Sequence, residues 1–383
     1  MKVLVAPDKF AGTLTALEAA SAIAEGWLRT APTDEIVLAP LADGGPGFVD
    51  SLERTLGGRR LAVEVTGPMG TRVSASVLII EGTAYVESAQ ACGLHLVPVE
   101  LRDPLRATTY GVGELIAVAV AEGVTRVVVG LGGSATNDGG IGMLAALGAT
   151  AEGAEGNDVT PLLAEGASAL RSVLSVDLTP AREAVRDVEI VLASDVDNPL
   201  LGLRGAANGF ARQKGADDGA VMELEGTLEH LVAAVGRRPD GKDPAVALGA
   251  GAAGGLGYAL LHLDGTRVPG IATVLETLGF GSLVAAADLV ITGEGSFDWQ
   301  SLRGKVVSGV AESALAQGRA CVVLAGRVEV GRREYSATGV SGAFAVVDDL
   351  RERGLPESEA FAHPAEHLAS LAERAARTWG GAG

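Results

Sequence analysis

Five stretches of this 383-residue chain set carboxylates, glycines and small hydroxyls directly after a short apolar run. The richest is residues 125–148, TRVVVGLGGSATNDGGIGMLAALG. Val127, Val128 and Val129 read as a strand buried on both faces. Gly130, Gly132, Gly133, Gly139, Gly140 and Gly142 let the backbone beyond it take positive φ and lie close to a ligand. Ser134, Thr136 and Asn137 add polar groups, and the helix that follows opens with unpaired N–H groups whose dipole favours phosphate or carboxylate. Asp138 stands among these donors and would repel a bare anion. It either caps the helix or holds a cation that the anion brings with it.

The other stretches repeat the theme. KVLVA (2–6) runs into PDKFAGT with Asp8 and Lys9, and EIVL (35–38) into PLADGGPGF with Asp43, Gly44 and Gly45. EIVLAS (189–194) ends in DVDNP, where Asp195 and Asp197, two residues apart, can share a cation or a proton with Asn198 beside them; an Asx-turn before Pro199 is the alternative. DLVITGEGSFDWQSLRGK (288–305) supplies Glu294, Asp298, Gln300 and, at a helix start, Lys305. FARQKGA places Lys214 before a helix, and GAGAAGGLG, with Gly254 and Gly255, is a second glycine-rich loop and an expected second anion or nucleotide contact. Each segment alone fits an ordinary turn. Their repetition fits a metal–phosphate site, which needs backbone N–H groups for phosphate oxygens, carboxylates for Mg²⁺, a lysine for developing charge and a base.

Competing chemistries find less support. None of the five histidines falls in these segments, which disfavours a Ser–His–Asp system. GRRPDGKD (236–243) lacks the hydroxyl of a phosphate-binding Walker loop, and HPAEH (363–367) has Pro364 at a helix start and no third zinc ligand. Of 30 basic residues five are Lys, at 2, 9, 214, 242 and 305, and three of these lie in the segments above. Lysine is a compact point charge suited to phosphate.

Apolar strand–turn–helix units imply an α/β protein, and the length allows two domains. A helix is expected from Thr15 and Glu18, which have capping-box spacing, to about residue 29. From residue 60 the pattern alternates with β-branched residues, which reads as a small antiparallel or mixed sheet and marks a domain boundary. Residues 151–187 read as a loop and short helix, AFAVVDD (343–349) as a strand, and about 358–377 as the last helix. A net charge of −18 argues against nucleic acid and anionic membranes as partners. No apolar run reaches a membrane span, and Cys92 and Cys321 have no metal or redox spacing, so a reduced cytoplasmic setting is expected.

APDKFAGTLTALEAA, LADGGPG, GLGGSATNDGGIGM, ASDVDNPLLG, FARQKGA, GAAGGLG and DLVITGEGSFDWQSLRGK, in this order, resemble the glycerate kinase family. The resemblance implies a kinase that phosphorylates the 2-hydroxyl of D-glycerate with ATP and Mg²⁺. It also implies a Rossmann-like parallel-sheet domain made of residues 1–60 and 286–383, a second α/β domain inserted at 61–285, and an active site in the cleft. The chain departs from the family's pattern at Pro46, where the family commonly has an acid, and at Lys9, where a lysine has moved within the first loop. The expected catalytic residues are Asp195 as base, Asp197, Lys305 and Lys9. Expected metal ligands are Asp138, Asp197, Glu294 and Asp298. Asp8, Asp43, Gly44, Gly45, Gly132, Gly133, Ser134, Thr136, Asn137, Asn198, Lys214, Gly254, Gly255 and Gln300 are expected to bind substrate or nucleotide. A kinase for another small hydroxy acid, or a nucleotide- or metabolite-binding module without turnover, is the rival reading. A homodimer is held open.

Overall fold

The computed structural model describes residues 1–10, 12–42, 44–302 and 304–380, so the expected binding residue Asp43 lies outside the described residues. Contacts divide the chain into two compact α/β units. One comprises Met1–Asp43, Asp50–Thr55 and Ile271–Gly383, the other Gly44–Val49 and Leu56–Gly270.

The first unit is built on five parallel strands in the spatial order Val340–Ala345, Ala320–Val328, Leu289–Phe297, Lys2–Val5, Glu35–Leu38. Apolar residues run almost without interruption through its inner strands because both faces are covered. Val3, Val5, Leu289, Ile291, Val322 and Leu324 face the helices Ala16–Thr30 and Pro364–Trp379. The alternate residues Leu4, Val290 and Val323 are equally buried on the other face, where the helix Val306–Ala316 packs. Thr15 and Glu18 form the expected capping box, each side chain accepting from the other's backbone N–H. In chain order these strands lie as 5-4-3-1-2, so the direction of progression reverses between Lys2–Val5 and Leu289–Phe297. A doubly wound sheet opens its ligand crevice at the carboxyl ends flanking such a reversal.

Two elements differ from the sequence reading. The strand at 289 continues to Phe297 instead of stopping at its first glycine, because Ser296 and Phe297 still pair with Arg327 and Val328. Residues 346–349 of AFAVVDD belong to the helix Val346–Glu352, with Asp348 and Asp349 in a first turn that favours carboxylates, and the strand occupies Val340–Ala345.

The second unit carries a mixed six-stranded sheet in the order Thr266–Val268, Glu189–Ala193, Arg126–Gly130, Thr83–Glu87, Arg72–Ile80, Arg59–Thr66. The first four strands are parallel and the last two antiparallel, so the alternating segments after residue 60 form one flank of a larger sheet. Residues 151–187 hold tight 3₁₀ turns, the short helix Thr179–Ala184, and the strand Ser175–Asp177, which pairs with Thr150–Glu152. No helix among the described residues is long and apolar enough to cross a membrane.

Helices Ala16–Thr30 and Pro364–Trp379 touch at Gly26, where an added Cβ would stand 1.9 Å from the Ala369 carbonyl oxygen. Gly26→Ala must therefore push the helices apart, and overpacking of this kind destabilises by about 1–3 kcal/mol. Urea unfolding of the variant is expected at a lower midpoint with an unchanged slope. An unaltered midpoint would show that the two helices separate freely.

Candidate functional site

In the first unit, the two strands that flank the topological reversal deliver Asp8 and Glu294 to the same edge of the sheet. The backbone N–H of Asp8 donates to the Gly293 carbonyl at 2.8 Å, tying the first loop to the neighbouring strand. Lys9 donates its backbone N–H to Asp8 Oδ1 at 2.7 Å and places Nζ 3.7 Å from that oxygen. Glu294 Oε1 is buried and has no hydrogen-bond partner among the described residues. Burial pushes the Glu294 carboxyl up to about 7; Asp8 and Asp298 add to the rise, while Ser301 and Lys305 oppose it. Asp298 is fixed by a turn in which its Oδ1 accepts from the N–H groups of Gln300 and Ser301 while Ser301 Oγ accepts from its own N–H. Lys305 precedes the helix Val306–Ala316, and its Nζ donates to Gln300 Oε1 at 3.5 Å. This unit thus gathers Asp8, Lys9, Glu294, Asp298, Gln300 and Lys305.

In the second unit the loop after Arg126–Gly130 is pinned at almost every residue. Asp138 is fully buried. Its Oδ2 accepts from Thr109 N (2.8 Å), Thr109 Oγ1 (2.7 Å) and Gly142 N (3.4 Å), and its Oδ1 from Gly140 N (3.0 Å). Burial raises its proton affinity and these donors oppose that. Of the two roles open to it, closing the helix start is the one this geometry serves. The helix Ile141–Ala146 has only six residues, and its leading N–H groups are taken by Asp138 and Thr109. Among the described residues, the loop amides without a protein acceptor include those of Gly132, half-exposed, and Gly133, exposed. Gly133 has φ +71°, and its position is backed by Pro46, whose ring a Cβ there would meet at 3.0 Å. Ser134 and Thr136 are buried and held by Lys214, while the buried Asn137 amide has no partner among the described residues.

The second glycine-rich loop is a packing partner of the first. A Cβ on Gly254 would stand 1.8 Å from the Thr136 carbonyl oxygen and one on Gly255 2.5 Å from Gly139 Cα, while Gly139 N donates to the Gly254 carbonyl. Gly44 similarly lies against the Ala193 carbonyl, and Gly45 against Gly132. These glycines serve backbone–backbone contact.

Beyond the strand Glu189–Ala193, the three polar residues take separate partners. Asp195 Oδ1 accepts from Gly270 N at 2.8 Å, Asp197 pairs with Arg267 at 2.6 Å and is 64% exposed, and Asn198 donates to the Arg204 carbonyl at 2.6 Å. The strand ends at Ala193, so the alternation that would aim Asp195 and Asp197 together does not extend to them. Sequence reasoning missed Thr109, Ser301 and Arg267. The Asp298–Ser301 spacing was a readable turn signal; Thr109 and Arg267 come from distant segments and left none.

A sequence model described as the glycerate kinase family matches residues 3–380. The glycerate kinase of Bacillus subtilis is 41% identical over 380 residues, covering 98% of this chain and 96% of its own length. The glycerate 2-kinase of Escherichia coli K12 is 39% identical over 355 residues, covering 91% of each. A crystal structure of a protein designated glycerate kinase 2 from Salmonella typhimurium LT2 matches with a TM-score of 0.77 at 37% identity, over 99% of this chain and 98% of that one.

Glu294 gives a stability signature. Its folded carboxyl holds a proton up to about 7, whereas an unfolded glutamate releases it near 4.3. Between those values the folded state binds more protons, so this group's contribution to stability falls as pH rises through the window. Glu294→Gln removes the dependence. Urea unfolding at about pH 5 and about pH 8 should show the variant gaining on the parent at the higher pH; an equal difference at both would contradict the assignment.

Proposed function

This chain belongs to the glycerate kinase family, and we propose how its residues transfer the γ-phosphoryl group of ATP to the 2-hydroxyl of D-glycerate. It is an enzyme acting on glycerate; ATP, Mg²⁺, the position phosphorylated, the residue roles and a cytoplasmic setting are the proposal. The observation that carries it is Glu294, with a buried oxygen that has no partner among the described residues and an elevated proton affinity, on a strand flanking the reversal of the parallel sheet.

A secondary hydroxyl is a weak nucleophile at neutral pH, and a base with proton affinity near 7 is well matched to take its proton as the bond to phosphorus forms. Glu294 suits that task better than Asp195, whose Oδ1 holds the Gly270 amide. Lys305, at the start of an eleven-residue helix, offers its charge together with that helix's leading N–H groups to the phosphoryl oxygens. The exposed amides of Gly132 and Gly133 bind an anionic group of one substrate. Asp138, Gly254 and Gly255 belong to the framework of that loop.

The donor set suits Mg²⁺. Asp8 and Asp298 both add negative charge at Glu294, which a hard cation would relieve. Among the described residues no three Asp, Glu, His or Cys side chains are grouped as a metal cage. Mg²⁺ is commonly held by one or two carboxylates, with water and phosphate oxygens completing its shell. Asp298 and Asp8 would hold it, and its chemistry there is neutralisation of phosphate charge.

Purified protein given D-glycerate, ATP and Mg²⁺ should consume ATP only when glycerate is present, with phosphorus NMR reporting the 2-phosphate. A 3-phosphate product would overturn the regiochemistry. Glu294→Gln should lower kcat by roughly 10²–10⁴-fold, and in the parent kcat should rise with pH through about 7 as Glu294 ionises. If Glu294→Gln keeps near-parental kcat while Asp195→Asn loses it, the base is Asp195.

A further inference from the structure

Lys214 is one of the few lysines of an arginine-rich chain, and it is 3% exposed. Its Nζ donates to Ser134 Oγ at 3.0 Å and to the Thr136 carbonyl oxygen at 2.6 Å. We infer that Lys214 is a positioning residue: a cation buried beneath the 131–140 loop that fixes the loop's conformation and sets the Gly132 and Gly133 amides outward, without itself touching a ligand.

The surroundings support this reading. A short 3₁₀ turn, Arg212–Lys214, carries the lysine and closes at Gly215, whose φ of +104° and contact with the Arg102 carbonyl leave no room for a side chain. Both acceptors belong to the loop and bracket Ala135, whose N–H donates to the Cys92 carbonyl. Asp138 fixes the loop's far half through Thr109, Gly140 and Gly142, so Lys214 holds the middle of the loop and Asp138 its helix side. Leu94 N donates to the Gly133 carbonyl, which turns that peptide's oxygen inward. Burial pulls the lysine down to about 8, with Cys92 and Asp138 the ionisable groups that restore part of its proton affinity. A buried ammonium is expensive unless hydrogen-bonded, and here the loop supplies the acceptors. Its positive charge, held against Ser134 and Thr136 of the same loop, also favours an anion at that loop.

The inference rests on the reading of Gly132 and Gly133 as an anion site, but its test does not. Lys214→Met keeps the buried stem and removes the charge and donors. Hydrogen exchange of the Ala135 and Gly139 amides, which donate to the Cys92 and Gly254 carbonyls, should then speed up about 10- to 100-fold in the ligand-free protein, the range for losing one charge-assisted hydrogen bond. KM for the substrate anchored by the loop should rise by a similar factor with kcat at saturation within ~3-fold, because saturating ligand can still order the loop. A merely structural defect would instead lower kcat with the folded fraction and leave KM unmoved. Unchanged exchange in the free variant overturns the proposal, whatever happens to activity, since a lysine that only contacts ligand does not order the free loop. Should Lys214→Met not fold, Ser134→Ala removes one acceptor and decides the matter: faster exchange at the Ala135 amide, bonded to the Cys92 carbonyl, supports the clamp and unchanged exchange refutes it. Loss of loop protection in a protein whose parent does not phosphorylate glycerate would reject the functional reading and leave the clamp standing.

Discussion

A carboxylate removed from water must find donors, and the satisfaction of Asp138 dictates much of the second unit. Its four hydrogen bonds come from Thr109 on one segment and from Gly140 and Gly142 on its own. A Cβ at Gly142 would stand 3.0 Å from Asp138 Oδ2 and 2.5 Å from Thr108 Oγ1, so the bond to that amide depends on glycine. Gly140 sits at φ +72°, the left-handed region that lets its N–H turn back to the carboxylate. Closing the helix start in this way leaves exposed donors at Gly132 and Gly133. The open donors thus stand on the strand side of the loop, away from the helix dipole.

The two units meet the cost of buried charge in opposite ways. In the second, anion and cation are both absorbed: Asp138 by N–H and hydroxyl donors, Lys214 by an oxygen pair. In the first, burial above all, with the charges of Asp8 and Asp298 adding to it, makes the Glu294 carboxyl hold its proton more tightly. Satisfied charges make a rigid frame. A buried carboxyl with like charges nearby is poised to exchange a proton or to welcome a cation, which is what a reacting centre requires and a frame does not.

Much of this was legible in the sequence because it depends on local pattern. The valine run before Gly130, the Thr15–Glu18 cap and the carboxylates at strand ends all follow from near neighbours in the chain. What could not be read depends on distant segments. GAGAAGGLG looks like an anion loop, yet the carbonyl of Thr136, more than a hundred positions earlier, is what forbids a side chain at Gly254. Asp195 and Asp197 look paired, but the strand stops at Ala193, and Gly270 and Arg267 draw them to different partners. Glu294 lies within a strand because Ala320–Val328 runs long enough to pair past it, and its placement beside Asp8 follows from strand order alone.

The scarcity of lysine acquires a physical meaning at position 214. Lys2 and Lys242 make exposed ion pairs with Glu35 and Asp240, work that arginine does elsewhere on this surface. Beneath the 131–140 loop the two side chains are not equivalent. An ammonium presents three donors on a flexible stem, and two of them are met by Ser134 and Thr136. A guanidinium would bring five N–H groups in a rigid plane into the same buried space and leave more of them without acceptors, each costing about 1–3 kcal/mol or more. It also could not shed its charge, whereas burial has already brought the Lys214 ammonium down to about 8. An interior cation with few acceptors can be a lysine and can scarcely be an arginine, so the preference for arginine that marks the rest of the chain ends where charge leaves the solvent.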